Sequence, residues 1–307
     1  MFRIFFVTDI HGSEICFRKF LKAAEVYKPN ALMLCGDLTG KFVIPIAREP
    51  DGVFRARYHG ADLVLKGEEE LIDLERKFGD VGAYYYRVDS NDSDKVTEDY
   101  SRKMFRQKTQ ERLRSWLKLA EERLKHRGVS VYFSPGNDDE FNIDEVLNES
   151  SFVMNCEEKV VDVAGHEMAT LAWTNPTPWN TARECSEDQL YERVEKLLSQ
   201  VSSMKNCIFN FHCPPFDSGL DSAPELSKDL IAGTEMIPVG SKSIRKSIEA
   251  HQPVLGLHGH IHESRGALAI GRTLCVNPGS EYGEGILRGA IVNLDKGAVK
   301  GYMLTSG

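Results

Sequence analysis

From residue 3 to residue 12 the chain reads RIFFVTDIHG. Ile4–Val7 is apolar without alternation, the pattern of a strand buried on both faces. Asp9, His11 and Gly12 follow it at once. The arrangement recurs. Ala31–Cys35 precedes Gly36 and Asp37, and Val129–Phe133 precedes Gly136, Asn137 and Asp138. Cys207–Phe211 runs into His212, and Val254–Leu257 into His258, Gly259, His260 and His262. Open α/β sheets bind ligands beyond the carboxyl ends of their strands. Five such ends carrying Asp, Asn and His therefore point to one shared metal site. In an extended chain residues two apart face the same way, so Asp9 with His11, and His260 with His262, can each address one centre. Oxygen and imidazole donors without thiolate suit Mn²⁺, Fe or Zn²⁺. His59, His126, His166 and His251 lack this setting and read as ordinary core or surface residues.

Outward from these motifs, Arg272–Val276 and Gly289–Leu294 are further strand candidates, and Glu14–Tyr27 has a helical pattern ending just before Pro29. Strands alternating with helices imply α/β layers, and the strand-rich final third implies a mixed sheet. Residues 1–307 read as a single domain, with residues 41–95 an insertion that adds strands near Val53–Tyr58 and Ala83–Val88 and a helix at Glu68–Phe78. A long helix follows at about 98–127, with Leu113, Leu117, Ala120 and Leu124 on one face and Gly128 as its stop. Residues 101–127 carry ten Lys or Arg against three Glu, while residues 66–99 carry eleven acids against five bases. Mutual neutralisation or solvation is the favoured reading. A docking face for nucleic acid or an acidic partner is the other.

At 307 residues, 41% hydrophobic and 27% charged, the composition is that of a globular protein, which excludes disorder and fibrous repeats. A net charge of −8 argues against a protein that coats duplex nucleic acid. No apolar run approaches the ~18 residues of a membrane span, and the N-terminal apolar stretch is too short for a signal core, so a cytoplasmic protein is expected. Seven scattered cysteines, none in a C-x-x-C pair, exclude a zinc knuckle and read as small buried hydrophobes.

The ordered set Asp9-Ile10-His11, Gly36-Asp37, Gly136-Asn137-Asp138, His212 and Gly259-His260-Ile261-His262 resembles the calcineurin-like metallophosphoesterases. Val276-Asn277-Pro278-Gly279-Ser280 is similar to a turn in small prokaryotic members. Asn175–Glu184 (NPTPWNTARE), together with Gly-Asn-Asp in the third motif, resembles a subgroup of uncharacterised predicted phosphoesterases. The resemblance implies a four-layer αββα sandwich, two mixed sheets flanked by helices, holding two divalent metals. It implies Asp9, His11 and His262 on one metal, Asn137, His212 and His260 on the other, and Asp37 bridging. The implied reaction is hydrolysis of a phosphate ester by in-line attack of a metal-bridging water or hydroxide.

One position departs from the family pattern. Most members carry a histidine after Gly-Asn, thought to protonate the leaving oxygen; here Asp138 stands there, followed by Asp139. The expectation is that Asp138 orients the site and that His258 or a metal-bound water assists departure. An anionic Asp138 would repel a dianionic monoester more than a monoanionic diester, so diesters are favoured as substrates. Arg183, Arg265 and Arg288 are candidate phosphate contacts, and Trp179, with Pro176 and Asn180, a candidate substrate-facing loop. Ser13 and Cys213 lie beside ligands without triad partners. Two alternatives stand beside the enzyme: a partner-binding scaffold that retains the metal site and acts through residues 41–127, and a nuclease on single strands supported by the basic helix. The insertion is then a candidate oligomer or partner contact.

Overall fold

The computed structural model describes residues 1–227 and 229–307, with backbone alone for 93–95. In chain order the first half runs β1 (Phe2–Val7), α1 (Glu14–Val26), β2 (Ala31–Cys35), β3 (Val43–Arg48), β4 (Phe54–Tyr58) and β5 (Ala61–Leu65). It continues with α2 (Glu68–Asp80), β6 (Tyr84–Asp89), α3 (Glu98–Leu124), β7 (Ser130–Ser134), α4 (Ile143–Asn148) and β8 (Val153–Asn155). The second half runs β9 (Val160–Val163), β10 (His166–Leu171), α5 (Glu187–Leu198), β11 (Cys207–Phe211), β12 (Ser222–Leu226) and β13 (Ala232–Pro238). It closes with α6 (Lys242–His251), β14 (Leu255–Leu257), β15 (Gly266–Ile270), β16 (Thr273–Asn277), β17 (Arg288–Asp295) and β18 (Ala298–Ser306).

Two six-stranded mixed sheets dominate. The first has order β18-β17-β1-β2-β7-β8 and the second β15-β16-β14-β11-β10-β9. In each, four neighbouring strands are parallel; antiparallel β17 and β18 complete one edge of the first sheet, and antiparallel β15 and β9 the two edges of the second. Strand alternation explains how they stack. Ile4, Phe6, Ala31 and Met33 point to one side and meet Met168, Ile208, Leu255 and Val276 of the second sheet. Phe5, Val7, Leu32 and Leu34 point to the other side and meet α1, α3 and α4. Phe209, Phe211 and Cys275 on the far face of the second sheet meet α5 and α6. The result is the α/β sandwich expected, with layers helix, sheet, sheet, helix.

The flanking helices follow from local sequence. Ser13 caps α1 by accepting from Cys16 N, and Cys16, Phe17, Phe20 and Leu21 form its buried face. Thr97 caps α3 in the same way. The buried residues of that helix run from Thr109 to Leu124, and the Trp116 ring stacks on Phe17 at 4.2 Å and 8°. Its cations pair with acids on α3 itself or on Glu14, Glu25, Glu140 and Glu149. The neighbouring acidic stretch makes its own local pairs, Arg87 with Glu68 and Glu75, Arg76 and Lys77 with Asp73. Asp94 and Lys95 of that stretch lie outside the described side chains. The two stretches meet in the pair of Arg102 with Glu98, and the other described pairs are local to each stretch or reach acids outside both.

Residues 43–89 form a four-stranded sheet, order β5-β4-β3-β6, with α2 against it and a small core of Ile44, Ile46, Phe54, Leu71 and Phe78. β4 alternates inward Phe54 and Ala56 with outward Arg55 and Arg57, a sheet with one covered face. Six of the seven cysteines are buried, and all seven are unpaired. No helix among the described residues is long and apolar enough to cross a membrane.

Candidate metal centre

Loops from the carboxyl ends of β1, β2, β7, β11 and β14 converge where the two sheets meet. Backbone hydrogen bonds lace them together: Asp9 N to Gly36 O at 2.9 Å, His11 N to Asp37 O at 3.0 Å, Gly36 N to Ser134 O at 2.9 Å, and Gly259 N to His212 O at 3.0 Å. Side chains add to this lacing. The Asp9 carboxylate accepts from His260 N and from Thr8 Oγ1, and Asp37 Oδ1 accepts from Asp138 N at 3.0 Å.

All seven predicted ligands come together. Asp37 lies 3.6 Å from His11 Nε2 and 3.5 Å from His212 Nε2, while Asp9 lies 3.7 Å from His212 and 3.5 Å from His262. His11 and His262 face each other Nε2 to Nε2 at 3.1 Å, and Asn137 Oδ1 lies 2.8 Å from His260 Nδ1. Three donor sets each fall within 4.8 Å: Asp9, His11 and His262; Asp9, Asp37 and His212; His11, Asp37 and Asp138.

Two observations say that these residues fit a cation. His11 Nδ1 and both ring nitrogens of His212 are buried without a hydrogen-bond partner, a costly state that a ligand would relieve. Donor atoms sharing one ion at ~2.1 Å stand ~3.0–3.4 Å apart, close to the spacings here. The electrostatics agree. Burial holds His11 down to about 3 and His260 to about 4, so both keep the neutral imidazole that a metal takes. Burial also opposes charge on His212, yet Asp37 and Asp9 push it up to about 9. Asp9 and Asp37 are themselves held below the usual carboxylate range, burial being outweighed chiefly by His212. The pocket attracts positive charge.

The aim of these side chains does not come from extended backbone. Asp9, His11, Asp37 and His260 all have positive φ, at 54°, 41°, 44° and 68°. Each such residue costs ~1–3 kcal/mol, and such strain clusters at functional sites. The spacing of two thus brings the right residues together through tight turns, not through strand alternation. Gly36, at φ +103°, makes one turn possible, since a Cβ there would fall 2.1 Å from His212 Nδ1.

Sequence reasoning misplaced two residues. His258 is fully buried, with Nδ1 between the carbonyls of Phe211 (2.8 Å) and Cys213 (3.1 Å). It turns away from the centre because the chain has only just left β14, so it is a structural residue and no proton donor to a leaving group. Arg183 is likewise buried. Its guanidinium bonds Asp139 O at 3.0 Å, pairs with Asp144 and covers the Phe141 ring at 4.5 Å, which leaves nothing for a phosphate. Arg265 and Arg288 instead line an open cleft of about 440 Å³ with His262 and Tyr282, Arg288 being paired with Glu281. Ser13 is spent on the α1 cap and on Asp80 O, and Cys213 is buried against Asn175.

Other residues escaped the sequence. Asp139 is buried and accepts four hydrogen bonds, from Leu38 N, Thr39 N, Thr39 Oγ1 and Gly136 N, tying the loop after β2 to the loop after β7. Burial and Asp37 push its carboxyl up to about 6. Glu184 bolts the 175–184 loop by accepting from the amides and hydroxyls of Thr177 and Thr181. Thr181 Oγ1 in turn receives Asn137 Nδ2 at 2.7 Å, which turns the Asn137 oxygen toward His260. Trp179 projects from this loop and is 63% exposed, so it is not a core residue. Lys41 Nζ lies 2.8 Å from Asp138 Oδ2. Burial disfavours the Lys41 charge, but Asp138, Asp37 and Tyr282 hold its pKa above the usual lysine value. The Asp138 carboxyl is raised by burial and Asp37. Tyr282, also raised by burial, stays a neutral phenol with its ring 4.7 Å from His11.

Comparison with known proteins adds fold without function. No family model matches the chain. An uncharacterised protein of Methanocaldococcus jannaschii, MJ1162, is 38% identical over 152 residues, 49% of this chain and 64% of that protein. The chain thus spans less than two thirds of that relative. The solved structure of TT1561 of Thermus thermophilus superposes with a TM-score of 0.55 at 15% identity, covering 99% of this chain and 97% of the other. A second solved structure gives 0.55 at 14% identity, with 99% and 98% covered. These two share the fold.

Proposed function

We propose that the chain is a metal-dependent phosphoesterase whose divalent ions, two in number, are held by Asp9, His11, Asp37, Asn137, His212, His260 and His262. The observation that carries this reading is the meeting of these seven side chains at one centre, with three buried imidazole nitrogens lacking a hydrogen-bond partner. Oxygen and nitrogen donors without sulfur fit Mn²⁺, Fe or Zn²⁺. Bound there, such ions would supply Lewis acidity toward a phosphoryl oxygen and a water made acidic enough to attack it.

The chain's own residues do the rest. Asp37, within reach of both His11 and His212, is placed to join the two halves of the centre. Asn137 presents an oxygen fixed by Thr181, and the Asp9 carboxylate is held by His260 N and Thr8. The cleft beside His262 gives the alcohol portion of an ester a place to lie, bordered by Tyr282 and Arg265. The expected preference for diesters assumed a bare Asp138. With Lys41 at 2.8 Å the pair carries no net charge and offers no reason to reject a monoester. The proposed reaction is therefore phosphate-ester hydrolysis without that restriction.

The test is hydrolysis of bis(p-nitrophenyl) phosphate and p-nitrophenyl phosphate by metal-stripped protein with Mn²⁺ restored. Activity should return with Mn²⁺ and be absent from Asp37→Asn. Mn²⁺ that binds without producing turnover of either ester in wild-type protein overturns the reading.

A further inference from the structure

We propose that Lys41 grips a phosphoryl oxygen of the substrate above the metal centre, with Asp138 as the positioning residue that aims its ammonium. This rests on the phosphoesterase reading above. The Lys41–Asp138 pair is half-open to solvent, 46% and 24% exposed, and such pairs add little to stability. Its location is what distinguishes it. Asp138 is tied through its amide to Asp37 and lies 4.0 Å from His11 Nδ1, so the pair sits at the solvent side of the ligand cluster. The Lys41 charge acts on His11, Asp37, His262 and Tyr282.

An ammonium has three donors, and Asp138 takes one. The others are left for an anion entering from solvent. Lysine suits this task as a compact charge whose donors rotate to follow a phosphoryl oxygen as charge develops on it. Of the three arginines expected to bind phosphate, Arg183 is buried elsewhere, while Arg288, paired with Glu281, and Arg265, bonded to the carbonyl of Thr305 at 3.4 Å, line the cleft on the His262 side. Lys41 is also the first residue of the insertion, so the added segment contributes the cation itself.

The experiment uses inorganic phosphate as the probe, titrated calorimetrically into Mn²⁺-loaded wild-type, Lys41→Met, Lys41→Arg and Asp138→Asn protein. Mn²⁺ binding is followed separately by electron paramagnetic resonance. Loss of one charge-assisted hydrogen bond should weaken phosphate by about 10- to 100-fold in Lys41→Met. Mn²⁺ affinity and melting should be unchanged, Lys41→Arg should recover part of the loss, and Asp138→Asn should fall between. Phosphate affinity within about twofold of wild type in Lys41→Met, or an equal loss of Mn²⁺, overturns the role of Lys41 while leaving the phosphoesterase reading intact. Mn²⁺-loaded wild type that binds no phosphate overturns both.

Discussion

Replacing Asp139 by Asn tests whether the centre is held by its supporting hydrogen bonds. Asp139 Oδ2 accepts from Leu38 N (2.9 Å) and Gly136 N (2.8 Å), and Oδ1 accepts from Thr39 N (2.9 Å) and Thr39 Oγ1 (2.6 Å). An amide keeps one acceptor and turns the other into a donor. If its NH₂ faces Leu38 and Gly136, two backbone N–H groups are orphaned. If it faces Thr39, the hydroxyl can rotate to accept, but Thr39 N is still orphaned. The smaller loss is thus one buried orphan, ~1–3 kcal/mol, plus one or two bonds to a carboxylate at ~1.5–3 kcal/mol each. The expected destabilisation is at least ~2.5 kcal/mol in urea unfolding of metal-free protein. The same loops carry Asp37 and Asn137, so Mn²⁺ affinity should drop ~10–100-fold, the usual cost of losing an outer-shell partner. Asp138→Asn, with a half-open partner, should cost under ~1 kcal/mol. A destabilisation below ~1 kcal/mol for Asp139→Asn, or equal effects of the two substitutions, refutes the reasoning.

Removal of metal by EDTA should lower the melting temperature of wild-type protein. Mn²⁺ at a hundredfold excess over its Kd should restore ~2.7 kcal/mol per ion, and Asp37→Asn should show no such gain. Glu157, largely buried and accepting from Ala172 N, is pushed up to about 8 by burial. The folded chain therefore holds this proton more tightly than the unfolded one, and stability should fall as pH rises from about 4.5 to about 8, by roughly 2–4 kcal/mol after allowance for partial exposure. Glu157→Gln should flatten that part of the stability–pH curve; an unchanged slope would count against it. Arg183→Ala should cost ~2–4 kcal/mol of stability by stripping the 139–144 segment of its buried partner. Arg265→Ala should leave stability within ~0.5 kcal/mol and raise KM, a contrast that paired melts and kinetics would show or dismiss.

The parallel strands were legible because each is a short apolar run buried on both faces, and the ligands because each stands directly after one. Ala31–Cys35 and Cys207–Phe211 coincide with the strands observed, and β1 and β7 differ from expectation only at their ends. Most strands that escaped are half-exposed or at edges; β10, buried and interior to the second sheet, escaped as well. β3 carries Pro45, β5 shows almost no buried residue, and the β12–β13 hairpin is open along most of its length. In such segments apolar periodicity has nothing to report. His258 was misread for a different reason. Its place directly after β14 resembles that of the ligands, but its Nδ1 is held by the carbonyls of Phe211 and Cys213. Lys41 and Asp139 left no signal, because their roles arise from contacts between loops roughly a hundred residues apart, Lys41 with Asp138 and Thr39 with Asp139.

The segment 41–95 changes how the site should be dissected. Deleting residues 41–95 does not separate a scaffold from an enzyme, because the segment is joined to the centre itself. Ser13 Oγ donates to Asp80 O at 2.6 Å, and Gly40 N donates to the Tyr84 hydroxyl at 3.0 Å. Gly82, at φ +83°, passes so close to the loop after β1 that a Cβ would fall 2.0 Å from His11 O. Arg112 of α3 reaches Gly12 O at 2.8 Å on the same loop. Removing the insertion would release the turn that aims Asp9 and His11 and would take Lys41 with it. A loss of activity on deletion therefore cannot speak for a scaffold. Point substitutions on the outer strands β4 and β5, such as Arg57→Glu or Val64→Glu, are the sharper instrument, because their side chains are exposed and leave those contacts in place. An enzyme acting on small esters should keep its kcat/KM through both, whereas an activity that depends on a partner docked on that face should fall.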